Sequence, residues 1–425
     1  MSYTVRQVKQ FAEENDVKFV KLTFCDMQGK QKNISLVAEE LDSAFSEGVE
    51  FDPSLFDCFA SDGKPLYLYP DPSTLYVLPW RPQSGRVVSM LCDIKYADKS
   101  DFEGDCRRIL ADAVKRLENK GIKCDIGTAC DFYVLKTSED ASPVFQPYDR
   151  AGYCDAAPLD KCENIRRDII FTLGTMGVTP VSSHHEVGKG QNRIIFKPSD
   201  PMTAAKNMLV YKSAVRNICV RDGVYATFMP KPFERDAASG MHVSFSFSED
   251  MQKAAIESFA EGILENIDAL TLFANPTVNS YRRLESLDAI KRLSWTDKCS
   301  DSLLRIAWGK NPTVTLCSPD NVANPYLLFA LLLHAGVDGM EAGKKLRPRL
   351  KEGAVSGKLP VDLSSALEKA LSSALVKRTI PAAQLKKFAE IKRLEAESII
   401  NQTWSRKESN ISTVNKFIRD KNEQP

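Results

Sequence analysis

Gly127-Thr128-Ala129-Cys130-Asp131-Phe132 opens a run to Leu135 that reads as a β-strand, and it sets Ala129 and Asp131 two residues apart on one face. A second segment, Ser183-His184-His185-Glu186-Val187, is joined to Gln191-Asn192-Arg193 by the turn-rich Gly188-Lys189-Gly190, so Glu186 and Arg193 can oppose each other across a hairpin. A third, Ser239-Gly240-Met241-His242, leads into an alternating run that ends at Phe247. Farther on, Thr313, Thr315 and Cys317 alternate with Val314 and Leu316 and share a face. Several strands that present Asp, Glu, His and Arg to one side would line a polar cavity. Taken singly, these residues say less. A Glu–Arg pair across a hairpin is most often a surface ion pair. A solitary His242 is most often a hydrogen-bonded core or loop histidine, and His184-His185 lacks the spaced partners of a zinc site.

At 425 residues the chain exceeds one compact core, so two domains are expected. A hydrophobic fraction of 43% marks an ordinary globular composition. With 57 basic and 56 acidic residues, no net field favours nucleic acid or an anionic membrane as partner. No run has signal-peptide character or approaches the roughly 20 apolar residues of a membrane span, so the cytoplasm is the default expectation. The 11 cysteines contain no Cys-x-x-Cys pair and read as reduced, mostly buried small hydrophobes.

Organisation follows from pattern. An opening helix over Val5–Glu14 precedes short β-rich runs at 17–24, 66–69 and 75–78, separated by Asp/Pro/Gly/Ser clusters, which together make a small α+β domain. A polar stretch, 98–104, gives way to a helix from Asp105 to Lys120 ended by Gly121. The boundary is placed there, giving domains 1–103 and 104–425. In the second domain strands are expected at 127–135, 180–187, 193–196 and 242–247. Helices are expected at 162–176, 203–221, 251–273 and 325–340, with a helical, charged end at 363–375, 382–400 and 411–420.

Longer blocks add a resemblance. Phe51-Asp52-Pro53-Ser54, Tyr69-Pro70-Asp71-Pro72-Ser73-Thr74, Ser183-His184-His185-Glu186-Val187, Ser239-Gly240-Met241-His242, Asn275-Pro276-Thr277-Val278-Asn279-Ser280-Tyr281-Arg282-Arg283-Leu284 and Ala323-Asn324-Pro325-Tyr326-Leu327 run in the order found in type I glutamine synthetase. The chain resembles a divergent member of that family from about residue 15 to 405. The resemblance implies an α+β fold: a small N-terminal β-grasp-like domain, then a large catalytic-type domain whose antiparallel strands line a site flanked by helices. It also implies a homo-oligomer, a dodecamer of two hexameric rings tied by C-terminal helices, with each site between neighbouring subunits.

By the same resemblance, one magnesium or manganese ion would be held at Asp131, Glu186 and Arg193, and a second at Ala129, Thr315 and His242. Glutamates stand in the family at 129, 131, 186, 193 and 315, so Asp131, Glu186 and His242 remain as ligands while Ala129, Arg193 and Thr315 occupy lost positions. Hard divalent cations want several anionic oxygens, so weak or absent use of metal and ATP is expected. A guanidinium at 193 can instead pair with Asp131 and Glu186. Ala237-Ala238, Thr313, Cys317 and Ser244 likewise depart from substrate and nucleotide positions. Retained are Asp52, reaching across the subunit interface, Arg283, Asp288 as the nearest flap carboxylate, and Ser246 and Lys310 on the nucleotide side. Two readings stay open. One is a family protein degenerate for glutamine formation and kept for assembly, regulation or binding a small molecule. The other is an ATP-dependent carboxylate–amine ligase with altered substrate.

Overall fold

The computed structural model describes residues 3–81, 84–286, 292–298, 302–350 and 357–404. Helix α1 (Val5–Glu14) starts at Thr4, whose hydroxyl accepts from Gln7 N while the Gln7 side chain accepts from Thr4 N, a reciprocal cap. Strands β1 (Val17–Cys25) and β2 (Gln31–Val37) form an antiparallel hairpin. Its turn is closed by Asp26, whose Oδ1 accepts from Gln28 N and Lys30 N, each at 2.9 Å. The sheet continues through α2 (Leu41–Ser46), β3 (Val49–Phe51), β4 (Leu66–Pro70), β5 (Tyr76–Val77) and β6 (Arg86–Lys95). Its order is β2-β1-β6-β4-β3, with β6 parallel to β1 and antiparallel to β4.

The larger unit opens with α3 (Cys106–Glu118), capped by Asp105. It continues with β7 (Cys124–Thr137), β8 (Pro143–Pro147), α4 (Glu163–Thr175), β9 (Pro180–His185), β10 (Gln191–Phe196), α5 (Pro201–Arg221), β11 (Tyr225–Thr227) and β12 (Met241–Phe247). After these come α6 (Lys253–Ala274), α7 (Val278–Ser286), β13 (Arg292–Thr296), β14 (Ser302–Ala307), β15 (Thr313–Leu316) and α8 (Pro325–Glu341). The last described elements are α9 (Leu363–Ser372), α10 (Ala374–Thr379) and α11 (Ala382–Trp404). The sheet order is β13-β14-β15-β12-β7-β10-β9, antiparallel throughout this path except between β13 and β14.

Strand alternation splits this sheet into two unlike faces. Cys130, Phe132, Ile194, Val243, Phe245, Val314, Leu316, Leu304 and Ile306 are buried. Phe132 meets Tyr211 of α5 edge-on, and Phe245 meets Phe259 of α6. Helices α6 and α8 cross at Gly262 and Gly339, where a Cβ on Gly262 would lie 2.1 Å from the Ala335 carbonyl oxygen, so the crossing needs glycine.

Asn324 ties the two units together. Its Nδ2 donates to Asp26 O at 3.0 Å in the small sheet's hairpin, while its Oδ1 accepts from Tyr326 N and Leu327 N at the start of α8. Arg107 of α3 adds a 2.6 Å ion pair to Asp71.

Two differences from the sequence reading have physical causes. The helix expected over 363–375 breaks at Ser373, whose backbone is extended (φ −73°, ψ 127°) and whose side chain caps the next helix. Strands β2, β3, β6, β8, β11, β13 and β14 were not anticipated. Strand β2 buries none of its residues fully, alternating from Lys32 between half-buried and exposed positions, and β14 is assigned by its pairing with β15. The expected helix at 411–420 lies outside the described residues.

Because Asn324 is 5% exposed and serves both a cap and an inter-unit bond, Asn324→Ala leaves buried donors and an acceptor unpaired. The expected loss is about 2 kcal/mol, seen as a lower midpoint in urea. Asn324→Asp restores the cap but not the donation to Asp26 O, and is expected to recover only part.

Candidate functional site

The second face of the large sheet is polar. Register places Arg193 of β10 between His184 of β9 and Asp131 of β7. One step along, Ala129 of β7 lies between Ile195 of β10 and His242 of β12. A step farther, Gly127, Ser244, Thr315 and Arg305 form a row from β7 through β12 and β15 to β14. Residues opposed in register share a face, so one surface gathers His184, Arg193, Asp131, Ala129, His242, Ser244, Thr315 and Arg305.

Arg193 binds both acidic groups at this end. Its Nε lies 2.5 Å from Asp131 Oδ1 and 3.1 Å from Glu186 Oε1, and its Nη2 donates to Asp131 Oδ2 at 3.1 Å. Asp131 Oδ2 also accepts from Gly240 N at 3.1 Å and from Gln191 Nε2 at 3.5 Å. Asp131 is 2% exposed and Glu186 7%, so the pair expected in isolation to be a surface pair is instead buried at the carboxylate side. The reason is register: β10 runs between β7 and β9, which places residue 193 inside the sheet rather than at a hairpin tip. Burial pushes the Glu186 carboxyl above its usual range, with Arg193 opposing that rise. The guanidinium stays protonated, because the charge and hydrogen bonds of Asp131 and the charge of Glu186 outweigh its desolvation.

His242 faces Ala129 and has its pKa pushed down to about 4, first by burial and then by the charge of Arg193, with Arg305 and Arg283 adding to it. Ser244 and Thr315 close on each other through a 2.8 Å hydroxyl–hydroxyl bond. Ser246 lies two residues farther along β12, opposite Asp125 and Thr313. Arg283 is buried, and its Nη1 donates to Asn275 Oδ1 at 3.1 Å and Ser318 O at 2.8 Å. Its Nη2 would lie 2.7 Å from a Cβ on Gly240, so the absence of a side chain there lets the guanidinium come up behind the polar face.

Other expected residues lie apart from this face. Lys310 stands on the exposed turn between β14 and β15, 3.8 Å from Glu249. Asp52 is exposed in the small unit, where its Oδ1 accepts from Ser54 N at 2.8 Å. Asp288 lies outside the described residues. Arg305 and Gln191 were not singled out from sequence. The alternation Leu304-Arg305-Ile306 carries the signal for Arg305, but only the pairing with Thr315 assigns its face.

His185 points the other way. Its Nε2 is 2.9 Å from Asp149 Oδ1, and its Nδ1 is 2.7 Å from Glu186 O, which anchors the β9–β10 hairpin from behind. Nearby Asp149, Asp160 and Cys162 bring three donor atoms together. Their carboxylates are already engaged, by Arg166, Lys161 N and Gly190 N, so this is a closed network.

Two family models match the chain: the glutamine synthetase β-grasp domain over residues 16–97 and the glutamine synthetase catalytic domain over residues 103–410. The chain belongs to the glutamine synthetase family. It is 37% identical over 355 residues to the glutamine synthetase of Clostridium saccharobutylicum, covering 80% of each chain. It is 34% identical over 404 residues to that of Methanosarcina mazei, covering 89% of this chain and 90% of the relative. The solved structure of ligand-free GmaS superposes with a TM-score of 0.84 at 24% identity, covering 96% of this chain and 98% of that one, which shows the shared fold. The small sheet is thus the family's β-grasp unit and the large sheet its catalytic-domain sheet.

The donor set does not fit the two divalent cations that the resemblance to glutamine synthetase implies. Positions 129, 193 and 315 offer a methyl group, a guanidinium and a hydroxyl that is already bonded to Ser244. Asp131 and Glu186 face a fixed positive charge, which repels a cation from the same space.

A half-buried imidazole with a depressed pKa makes stability depend on pH. Between about 4 and the ordinary 6.5, the unfolded chain binds the proton and the folded chain does not, so folding stability falls as pH is lowered through that window. His242→Gln is expected to flatten the melting temperature profile between pH 6.5 and 4. It leaves the share due to His334, whose pKa is also pushed down to about 4. Thermal melts across this range check it; an unchanged profile means that His242 is solvated.

Proposed function

We propose that this member of the glutamine synthetase family does not form glutamine, and that it is retained as a ring-assembled regulatory or ligand-binding protein. The observation that supports this most is the Arg193 guanidinium between Asp131 and Glu186. Acyl-phosphate formation from a carboxylate and ATP is driven mainly by electrostatic stabilisation of the transferring phosphoryl group. A face with Ala129, Arg193 and Thr315 at these points has few anionic oxygens free for the cations that would supply it. On this reading Arg193 is an internal replacement for a cation: it neutralises the same carboxylates with fixed geometry. The sequence relatives are named glutamine synthetases, which favours an active ligase over a degenerate protein; an ATP-dependent carboxylate–amine ligase with altered substrate is the second reading.

One assay tests the loss of glutamine formation. Purified protein with glutamate, ammonia, ATP and magnesium or manganese is expected to give no glutamine, whereas turnover on the order of 1–10³ per second makes the chain an active glutamine-forming ligase and overturns the proposal. A second test addresses Arg193 directly. Breaking a buried pair typically costs about 3–5 kcal/mol, against roughly 0–1 kcal/mol for a surface pair. Arg193→Ala is therefore expected to lower the melting temperature clearly, and added manganese to recover part of the loss by binding the freed carboxylates. A melting temperature unmoved by the substitution, or unmoved by metal in both proteins, removes the cation-replacement idea.

Assembly is proposed on the family resemblance and on the persistence of α9, α10 and α11 as a packed C-terminal helical region. Light scattering at micromolar concentration is expected to give a mass near twelve chains. A monomer or dimer sinks the ring proposal while leaving the Arg193 argument intact.

A further inference from the structure

The joint between the two units gathers more negative charge than positive. Arg107 of α3 is 7% exposed, and its guanidinium is taken up by two acids of the small unit. Its Nη2 lies 2.6 Å from Asp71 Oδ2, just after β4, and its Nε lies 3.2 Å from Asp93 Oδ1 on β6. A third carboxylate, Asp105, caps α3 in the same place and is 3% exposed. Its Oδ2 accepts from Ile94 N of β6 at 3.0 Å, and its Oδ1 accepts from Arg107 N at 2.9 Å. One bond thus crosses to the small sheet while the other begins α3. Among the described residues, no cation forms an ion pair with Asp105.

Its other neighbours bring no compensating charge. Lys206 of α5 acts electrostatically on Asp200 and Asp71. Tyr326 of α8, Cys25 of β1, Cys92 of β6 and Cys106 of α3 are held protonated by burial. Asp26, in the β1–β2 turn, is a further buried acid on the far side of Cys106. Burial and then the like charge of Asp93 push the Asp105 carboxyl up to about 7, against the Ile94 N–H and the charge of Arg107.

We propose that Asp105 is a proton-operated latch between the two units. In its neutral form, β6 and the start of α3 close around Arg107 with two acids for one guanidinium. In its ionised form a third buried acid joins them, and the small unit parts from α3 more readily. The sign follows from the proton count. An opened joint returns Asp105 to an ordinary carboxyl with a pKa of 3.8, so between that value and about 7 the closed joint keeps a proton that the open one has lost. Closure weakens as pH rises through this window and is level above it. The direction is opposite to that set by His242. Nothing in this joint depends on the chemistry of the polar face.

The test is hydrogen exchange of the full chain, read by mass spectrometry between about pH 5 and pH 8.5. Asp105→Asn keeps the cap on Arg107 N and removes the ionisable group, and Asp105→Ser is a second cap without charge. Melting temperatures verify that each variant is folded. Dividing wild-type exchange rates by those of either variant at the same pH cancels the chemical pH dependence and the histidines. In peptides from β6 and the start of α3, this ratio is expected to rise with pH by up to about tenfold per pH unit, then to level near pH 7. Peptides from β12 are expected to show a constant ratio. Asp93→Asn removes the like charge and leaves Asp105, so its ratio is expected to level at a lower pH. A constant ratio at β6 overturns the latch, as does a levelling point unmoved by Asp93→Asn. An equal rise in β12 peptides also overturns it, because the proton then acts on the whole fold and not on the joint.

Discussion

The ion pairs of Arg193 with Asp131 and Glu186 govern how the polar face of the large sheet can exist at all. Two carboxylates, each more than nine-tenths buried, would repel each other and lose hydration if nothing compensated them. A guanidinium at 2.5 Å and 3.1 Å supplies that compensation from within the chain, from the strand that lies between β7, which carries Asp131, and β9, whose end Glu186 follows. The surrounding donors, Gly240 N and the Gln191 amide, then hold Asp131 in place and connect the Ser239-Gly240-Met241-His242 segment to the pair.

That arrangement depends on the sheet's two-faced character. Phe132, Val243, Phe245, Val314 and Ile306 anchor the strands against α5 and α6, and this burial sets the register. Once register is set, residues 129, 131, 193, 242, 244, 305 and 315 have no choice of side. A slip of one residue in β10 would bury Arg193 among aromatic rings and expose Ile194, which is a large penalty. The core thus enforces the geometry of the site.

The chain has the glutamine synthetase family fold, and particular residues hold its packing. Asn324 serves a helix cap and a bond between units, and Gly262 and Gly339 permit α6 and α8 to cross. The polar face differs in kind. Its carboxylates are matched internally, and its histidine is kept neutral by desolvation and neighbouring guanidiniums.

Much of this was legible in the residues. The limits of α1 and the existence of β7, β9, β10 and β12 follow from alternation, helical period and caps, which are local properties. The shared face of Ala129 and Asp131 follows from strand geometry alone, and the pairing of Arg193 with Glu186 from the hairpin. What the chain could not reveal locally was depth. A Glu–Arg hairpin pair reads as a surface pair, and only the insertion of β10 between β7 and β9 buries its acids. Arg305 was likewise invisible as a site residue, because its face is defined by pairing with Thr315 and, through Ser244, with Gly127 across three strand interfaces. Local sequence determines which residues alternate and where elements begin. Tertiary structure decides which of those faces meet, because side-chain charge acquires its energetic weight only when distant strands bring it out of water.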